Sequence, residues 1–255
     1  MLTLARVHWL APMTYPRLSK APIAEAVLNV RVEAAEWTDD LFASFVQQAA
    51  GAFPAGQDIE QFEANFAMNA QGPEVSHTAG VVGRICWNED KSQAVQARRD
   101  GFSVNHVRDY QSWEVLIGHA EEWWPIYAAC ALSGLRIVQC SVRYINKIPL
   151  VPSEDLSATL RTRPEVSAGL PQALENYVQS LIIPFPGNVR AAINQAVWPA
   201  PHEQTSRELI LDIEASTTSA EIPASEVWTT FEQLREVKNK CFFESLQQAK
   251  WEAFL

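Results

Sequence analysis

Basic residues are scarce in this chain. Lys and Arg number 20 against 30 Asp and Glu, which leaves a net charge of −10 and a pI near 5.0. Neutralising phosphates needs the opposite balance, which argues against nucleic acid as the main partner. Cysteine is sparse too, with four residues at 86, 130, 140 and 241 and neither a C-x-x-C pair nor metal-ligand spacing. Cys130 and Cys140 sit within apolar patterns, where free cysteine acts as a small hydrophobe. The expectation is a reduced, cytoplasmic protein. No apolar run approaches the roughly 18 residues a membrane helix needs. The opening LTLARVHWLAPM is no secretory leader, since Arg6 and His8 interrupt it and no small-residue cleavage site follows. Residues 1–12 are read as an extension outside the fold.

Signatures of chemistry are missing as well. Gly80-Val-Val-Gly83 lacks both the Lys-Ser/Thr of a phosphate loop and the third glycine of a dinucleotide turn. There is no G-x-S-x-G, no H-E-x-x-H and no Cys/His cluster. His119 and Glu122 are only half of a di-metal helix motif, in inverted order. The expectation is therefore no catalytic residue, no metal and no cofactor.

What the chain does have is a full core's worth of apolar residues, 47% against 20% charged. The organising stretch is 94–150, which reads as strand, turn, long helix, strand. Trp113, Leu116, Ile117, Ala120, Trp124, Tyr127 and Ala131 form the helix's stripe at 3.6-residue spacing, with Pro125 expected to kink it. Trp113, Trp123, Trp124 and Tyr127 are read as core, with Trp123 on the stripe's flank the best candidate among them for an exposed anchor. In the strand that follows, Val138, Cys140, Val142 and Tyr144 alternate with Gln139, Ser141 and Arg143. Asn146 continues the apolar face, where an unbonded amide would cost about 1–3 kcal/mol, so it is read as a hydrogen-bonded anchor clamping a neighbouring loop.

The remaining pattern gives a strand at 22–33, then a helix with Thr38 as its cap. Strands follow at 62–69, 81–87 and 92–107, the last bending at Gly101. After the strand of 135–148 comes a short helix capped by Ser153. Strands at 175–183, 189–197 and 209–213 lead to a helix running from Pro223 to the end, with Val227, Phe231, Leu234, Cys241 and Ser245 inward and a kink near Leu246. The expected class is α+β. Two β-α-β-β-β-α units, 13–134 and 135–255, would form one curved antiparallel sheet with long helices on one face. Such an arrangement resembles the saddle of the TATA-binding protein and, more loosely, helix-grip ligand carriers.

Four segments, YPRLSKAPIAEAVLNVRV, DGFSVNHVRDYQSWE, VRYINKIPL and LREVKNKCFFESL, carry a further resemblance. They look like a sporadically distributed family of bacterial and archaeal proteins of unassigned function, over nearly the whole chain from Met13. The family brings no catalytic residues. Its patchy occurrence implies a role in phage defence or in a toxin–antitoxin pair. The functional expectation is a non-enzymatic interaction module, an antitoxin or defence-complex subunit, bound to a protein encoded beside it. Asn29, Arg31, Gln139, Ser141 and Arg143, on the polar sheet face, would form the partner surface. One alternative is a small-ligand binder or enzyme with a pocket between sheet and helices, walled by Trp87, Trp113 and Trp124. Another is nucleic-acid binding through Arg31, Arg98, Arg99 and Arg143 on the open face.

Overall fold

A computed structural model describes residues 15–33, 36–37, 41–69, 72–108, 110–151, 155–171, 174, 176–199, 207–218 and 221–255. In chain order the elements are β1 (Ile23–Glu33), β2 (Glu36–Trp37), α1 (Leu41–Ala49), β3 (Ala55–Asn69), β4 (Gly72–Trp87), β5 (Gln93–Arg98) and β6 (Gly101–Val107). Next come α2 (Trp113–Ala128), β7 (Ala131–Ser133), β8 (Arg136–Leu150), α3 (Leu156–Thr159) and β9 (Tyr177–Phe185). The chain ends with β10 (Val189–Pro199), β11 (Arg207–Thr217), α4 (Val227–Ser245) and α5 (Gln248–Glu252). Nine strands form one antiparallel sheet in the order β3-β4-β5-β6-β1-β8-β11-β10-β9, while β2 and β7 pair separately. The protein is α+β.

β1 and β8 lie side by side near the middle of the sheet. Ala26, Leu28, Val30 and Val32 of β1 are buried, as are Cys140, Val142 and Tyr144 of β8. α2 covers β6 and β1, α4 covers β8, β11 and β10, and α1 covers β4 and β5. One apolar cluster joins β1, β6 and β8 to α1, α2 and the first half of α4; another lies under the second half of α4. Each fully buried side chain among Phe45, Phe102, Phe231 and Leu116 contributes about 1.5–3 kcal/mol by leaving water. Among the described residues no helix is long and apolar enough to cross a membrane.

Several expectations change. The single strand of 92–107 is the hairpin β5–β6, turning at Arg99-Asp100. Gly101 is required by close approach, not by a bulge: a Cβ there would lie 2.5 Å from the Val30 carbonyl oxygen. On β8 the core position falls to Ile137, not Val138, because the β1–β8 register shifts between Arg31 and Val32. That bulge reverses the alternation at its own position.

In α2 the buried positions are Trp113, Leu116, Ala120, Trp123 and Tyr127, and the helix continues through Pro125. Their 3-4-3-4 spacing marks the centre of the stripe, leaving Ile117 and Trp124 one step aside. Trp123 is core at 5% exposure and is no exposed anchor, and Trp124 is partly buried against the same cluster. Ala131 belongs to β7.

The α3 cap is Asp155, whose carboxylate accepts from the Ser157 amide at 2.9 Å. The C-terminal helix breaks at Leu246, which bridges to Leu160 before α5 begins. Val227, Phe231, Leu234, Cys241 and Ser245 are all buried. Residues 1–12, Thr38 and Ser153 lie outside the described residues, as do the side chains of 61–79.

Candidate functional site

The strand faces turned away from the helices carry the residues expected to bind a partner, and three of them, Asn29, Gln139 and Arg143, bond to other strands of the sheet. Arg98 Nη2 donates to Asn29 Oδ1 at 2.8 Å, and Asn105 Nδ2 to Glu25 Oε1 at the same distance. Arg143 donates through Nε and Nη2 to both oxygens of Asp212, at 2.8 and 2.7 Å. Gln139 Nε2 reaches the Thr217 carbonyl at 3.2 Å. Ser141 is buried, whereas Arg31 is exposed. Cross-strand pairing of this kind satisfies the polar groups of a sheet face internally.

The other face holds a cavity. It has a volume of about 350 Å3 and lies between the middle of α4, the start of α2, strand β8 and the segment 15–23. Arg235, Lys238, Asn239 and Phe242 line it from α4, at positions that share one helix face. Tyr144 and Asn146 line it from β8, two residues apart and hence on the same side of the strand. Ser112, Trp113 and Glu114 come from the α2 N-terminus, where the Ser112 hydroxyl caps the helix by accepting from the Val115 amide at 3.3 Å. The remaining wall is the strap 15–23. It is held by the Tyr15 ring stacked on Phe243 at 4.5 Å, by Lys20 N–H donating to the Phe254 carbonyl, and by Lys147 N–H donating to that of Pro22.

The lining is basic. Among the described residues that line it, Arg17, Lys20, Arg235 and Lys238 are basic and Glu114 alone is acidic. Arg235 stacks over the Trp113 ring at 5.2 Å and pairs with Glu232 at 3.3 Å and Glu114 at 3.8 Å. Trp113 in turn donates its indole N–H to Glu232 at 2.6 Å. Hydrogen bonds at its own helix start, to its backbone and to Ser112, hold Glu114 below the usual carboxylate range. Lys238 Nζ lies 3.8 Å from the centroid of the Tyr144 ring and donates to Asn239 Oδ1 at 2.6 Å. Among the described residues no carboxylate forms an ion pair with it. Burial, reinforced by the Arg235 charge, pushes its pKa down to about 7.

Tyr144 is desolvated and donates its hydroxyl to Tyr110 at 2.9 Å, and burial raises the pKa of both phenols. Because Tyr110 accepts that bond, its own proton remains for another acceptor. Asn146 donates to the Leu211 carbonyl at 3.0 Å, so the anchor clamps a neighbouring strand where a loop was expected, and it also lines the cavity. Of the three tryptophans expected to wall a pocket, Trp113 lines this one; Trp87 and Trp124 do not.

The histidines form a pair of their own, with His106 Nε2 3.0 Å from His119 Nδ1. His119 thus serves His106, and the described residues contain no metal-binding cluster. Arg98 also bonds Asp100, and Arg99 lies over the Phe42 ring at 5.6 Å. Lys238 is the residue that sequence reasoning missed. Its signal was present: 227, 231, 234, 238, 241 and 245 form one 4-3-4-3-4 stripe, and Lys238 interrupts it. No protein-family model matches this chain, and no curated protein matches it in sequence.

Proposed function

We propose that the protein binds a small anionic molecule in the cavity between α4, the α2 N-terminus and β8. The observation that carries this is the lining: four basic residues against one acidic among the described residues, in a chain whose net charge is −10. A cavity of about 350 Å3 suits a metabolite-sized ligand. Tyr110, Asn146 and the Arg235 guanidinium supply directed polar groups around it. A thermal-shift series with inorganic phosphate and small carboxylates tests this. Saturation about 100-fold above Kd stabilises by about 2.7 kcal/mol, and Arg235→Gln should weaken the effect. Failure of every anion to raise Tm, or shifts indifferent to Arg235→Gln, would overturn the proposal.

The competing proposal is an antitoxin or defence-complex subunit with a protein docked on the open sheet face. It has less behind it, since Arg143 and Asn29 spend their hydrogen bonds on Asp212 and Arg98. The same pairings take Arg98 and Arg143 away from any nucleic-acid surface. Four free, buried cysteines support a cytoplasmic placement.

For the fold, the proposal includes duplication of one unit across 13–134 and 135–255, in a saddle-like or helix-grip-like arrangement. In its favour, β1 is followed outward by β6, β5 and β4, and β8 by β11, β10 and β9. The strand next to the centre on each side, β6 or β11, leads on to a long helix, α2 or α4. β3 is extra to the first wing.

A further inference from the structure

Lys238 is placed as few structural lysines are. Lys238 is half-buried at the cavity wall, and an ammonium drawn even partly out of water is ordinarily matched by a carboxylate. Here the amine meets the Tyr144 ring at 3.8 Å, the Asn239 side-chain oxygen at 2.6 Å, and a cationic neighbour in Arg235, whose effect exceeds that of Glu236 or of Cys241, which oppose it. The ring attracts the ammonium and the guanidinium repels it. Lysines desolvated beside a second cation act as amine nucleophiles.

We infer that Lys238 captures the carbonyl group of an anionic aldehyde or ketone as an imine, with Tyr110 supplying the proton to the carbonyl oxygen. This rests on the proposed anion-binding role of the cavity, Arg235 holding the ligand's anionic group. The steps balance without any oxidant or reductant. The Nζ lone pair attacks the carbonyl carbon, a C–N bond forms, and the carbonyl electron pair moves to oxygen. That oxygen takes the Tyr110 proton, which Tyr144 leaves free by donating to Tyr110. The added nitrogen returns a proton to Tyr110. Loss of the former carbonyl oxygen as water then leaves the C=N bond. The depressed pKa, about 7, keeps about half of the amine neutral at neutral pH.

Glyoxylate with sodium borohydride is the probe, followed by peptide mapping of the full-length protein. At pH 7 a carboxymethyl group should accumulate on Lys238 about tenfold or more over surface lysines, which leave less than about a thousandth of their amine neutral there. Lys238→Arg, which keeps the charge, should abolish that modification. Excess inorganic phosphate should slow it in the wild type, and its rate should rise through pH about 7. Even modification of all lysines, with no excess at Lys238, would overturn the inference. If phosphate still stabilises the wild type more than Arg235→Gln in that case, the anion-binding role survives with Lys238 as a plain point charge. Preferential modification of Lys238 that phosphate neither slows nor accompanies with a Tm shift would support the amine chemistry and remove the anion-binding role.

Discussion

His106 Nε2 on β6 and His119 Nδ1 on α2 are 3.0 Å apart, joining sheet to helix by one imidazole–imidazole hydrogen bond. His106 is fully buried, and its Nδ1 has no hydrogen-bond partner among the described residues. An orphaned acceptor is cheaper than an orphaned N–H, so His106 is the Nε2–H tautomer donating to His119. Burial, with the second ring beside it, lowers the His106 pKa from 6.5 to about 4.

The unfolded chain therefore binds the His106 proton more tightly than the native one. Its contribution is fully present above pH about 6.5 and is lost as pH falls towards about 4, amounting to about 3 kcal/mol. Urea unfolding across that interval should show His106→Gln losing about 3 kcal/mol less than the wild type. Parallel pH profiles for the two proteins would place the titration elsewhere.

Arg31 and Arg143 look equivalent by strand alternation, yet they should behave differently when truncated. Arg143→Ala leaves Asp212, whose side chain is 12% exposed, without its bidentate partner. The expected loss is about 2 kcal/mol, the cost of a mostly desolvated carboxylate left with Asn194 Nδ2 at 3.5 Å in place of a charge. Arg31 is exposed, and Arg31→Ala should stay within about 0.5 kcal/mol. Equal losses at the two positions, measured by denaturant midpoints, would remove the Arg143–Asp212 pair from the stability of the sheet.

Strand and helix positions were legible wherever one face is apolar and the period is unbroken. β1, β10 and β11 are of this kind, and in α4 the period survives one interruption at Lys238. Register was less so, because a bulge reverses alternation without any residue announcing it: Val138 and Ile137 are equally apolar. The partner of Arg143 was not legible. Asp212 lies 69 residues away and only the β8–β11 pairing brings it close. The cavity was the least legible part. Its walls come from four segments that meet only in three dimensions, and its best marker, Lys238, shows only as a gap in an apolar stripe.

The two adjacent tryptophans of α2 give a direct test of that stripe. Trp123 packs edge-on against Phe45 and Phe53, with ring centroids 6.2 and 5.2 Å away. Trp123→Ala should cost about 3–5 kcal/mol, since both its transfer energy and its cavity are lost. Trp124, partly buried beside Phe102 and Tyr127, should cost distinctly less. The reverse ranking in chemical denaturation would rotate α2 about its axis and undo the 3-4-3-4 assignment.

Lys238 should be a liability to the fold that hosts it. Its pKa is lowered from 10.5 to about 7, so between those values the unfolded chain holds a proton that the native protein has released. The stability tied to this group is thus present above pH about 10.5 and is lost as pH falls through about 7. Lys238→Met removes the titration and fills similar volume against Tyr144. Its Tm should exceed that of the wild type, with the gain fully developed below pH about 7 and gone above about 10.5. The ammonium–ring attraction at 3.8 Å is made only by the charged form, so its loss offsets part of that gain below pH about 7. A binding site often retains such a destabilising residue because its chemistry needs it. A Lys238→Met variant whose stability relative to the wild type does not vary with pH would mean that the amine is solvated and ordinary. The cavity would then have lost its most distinctive group.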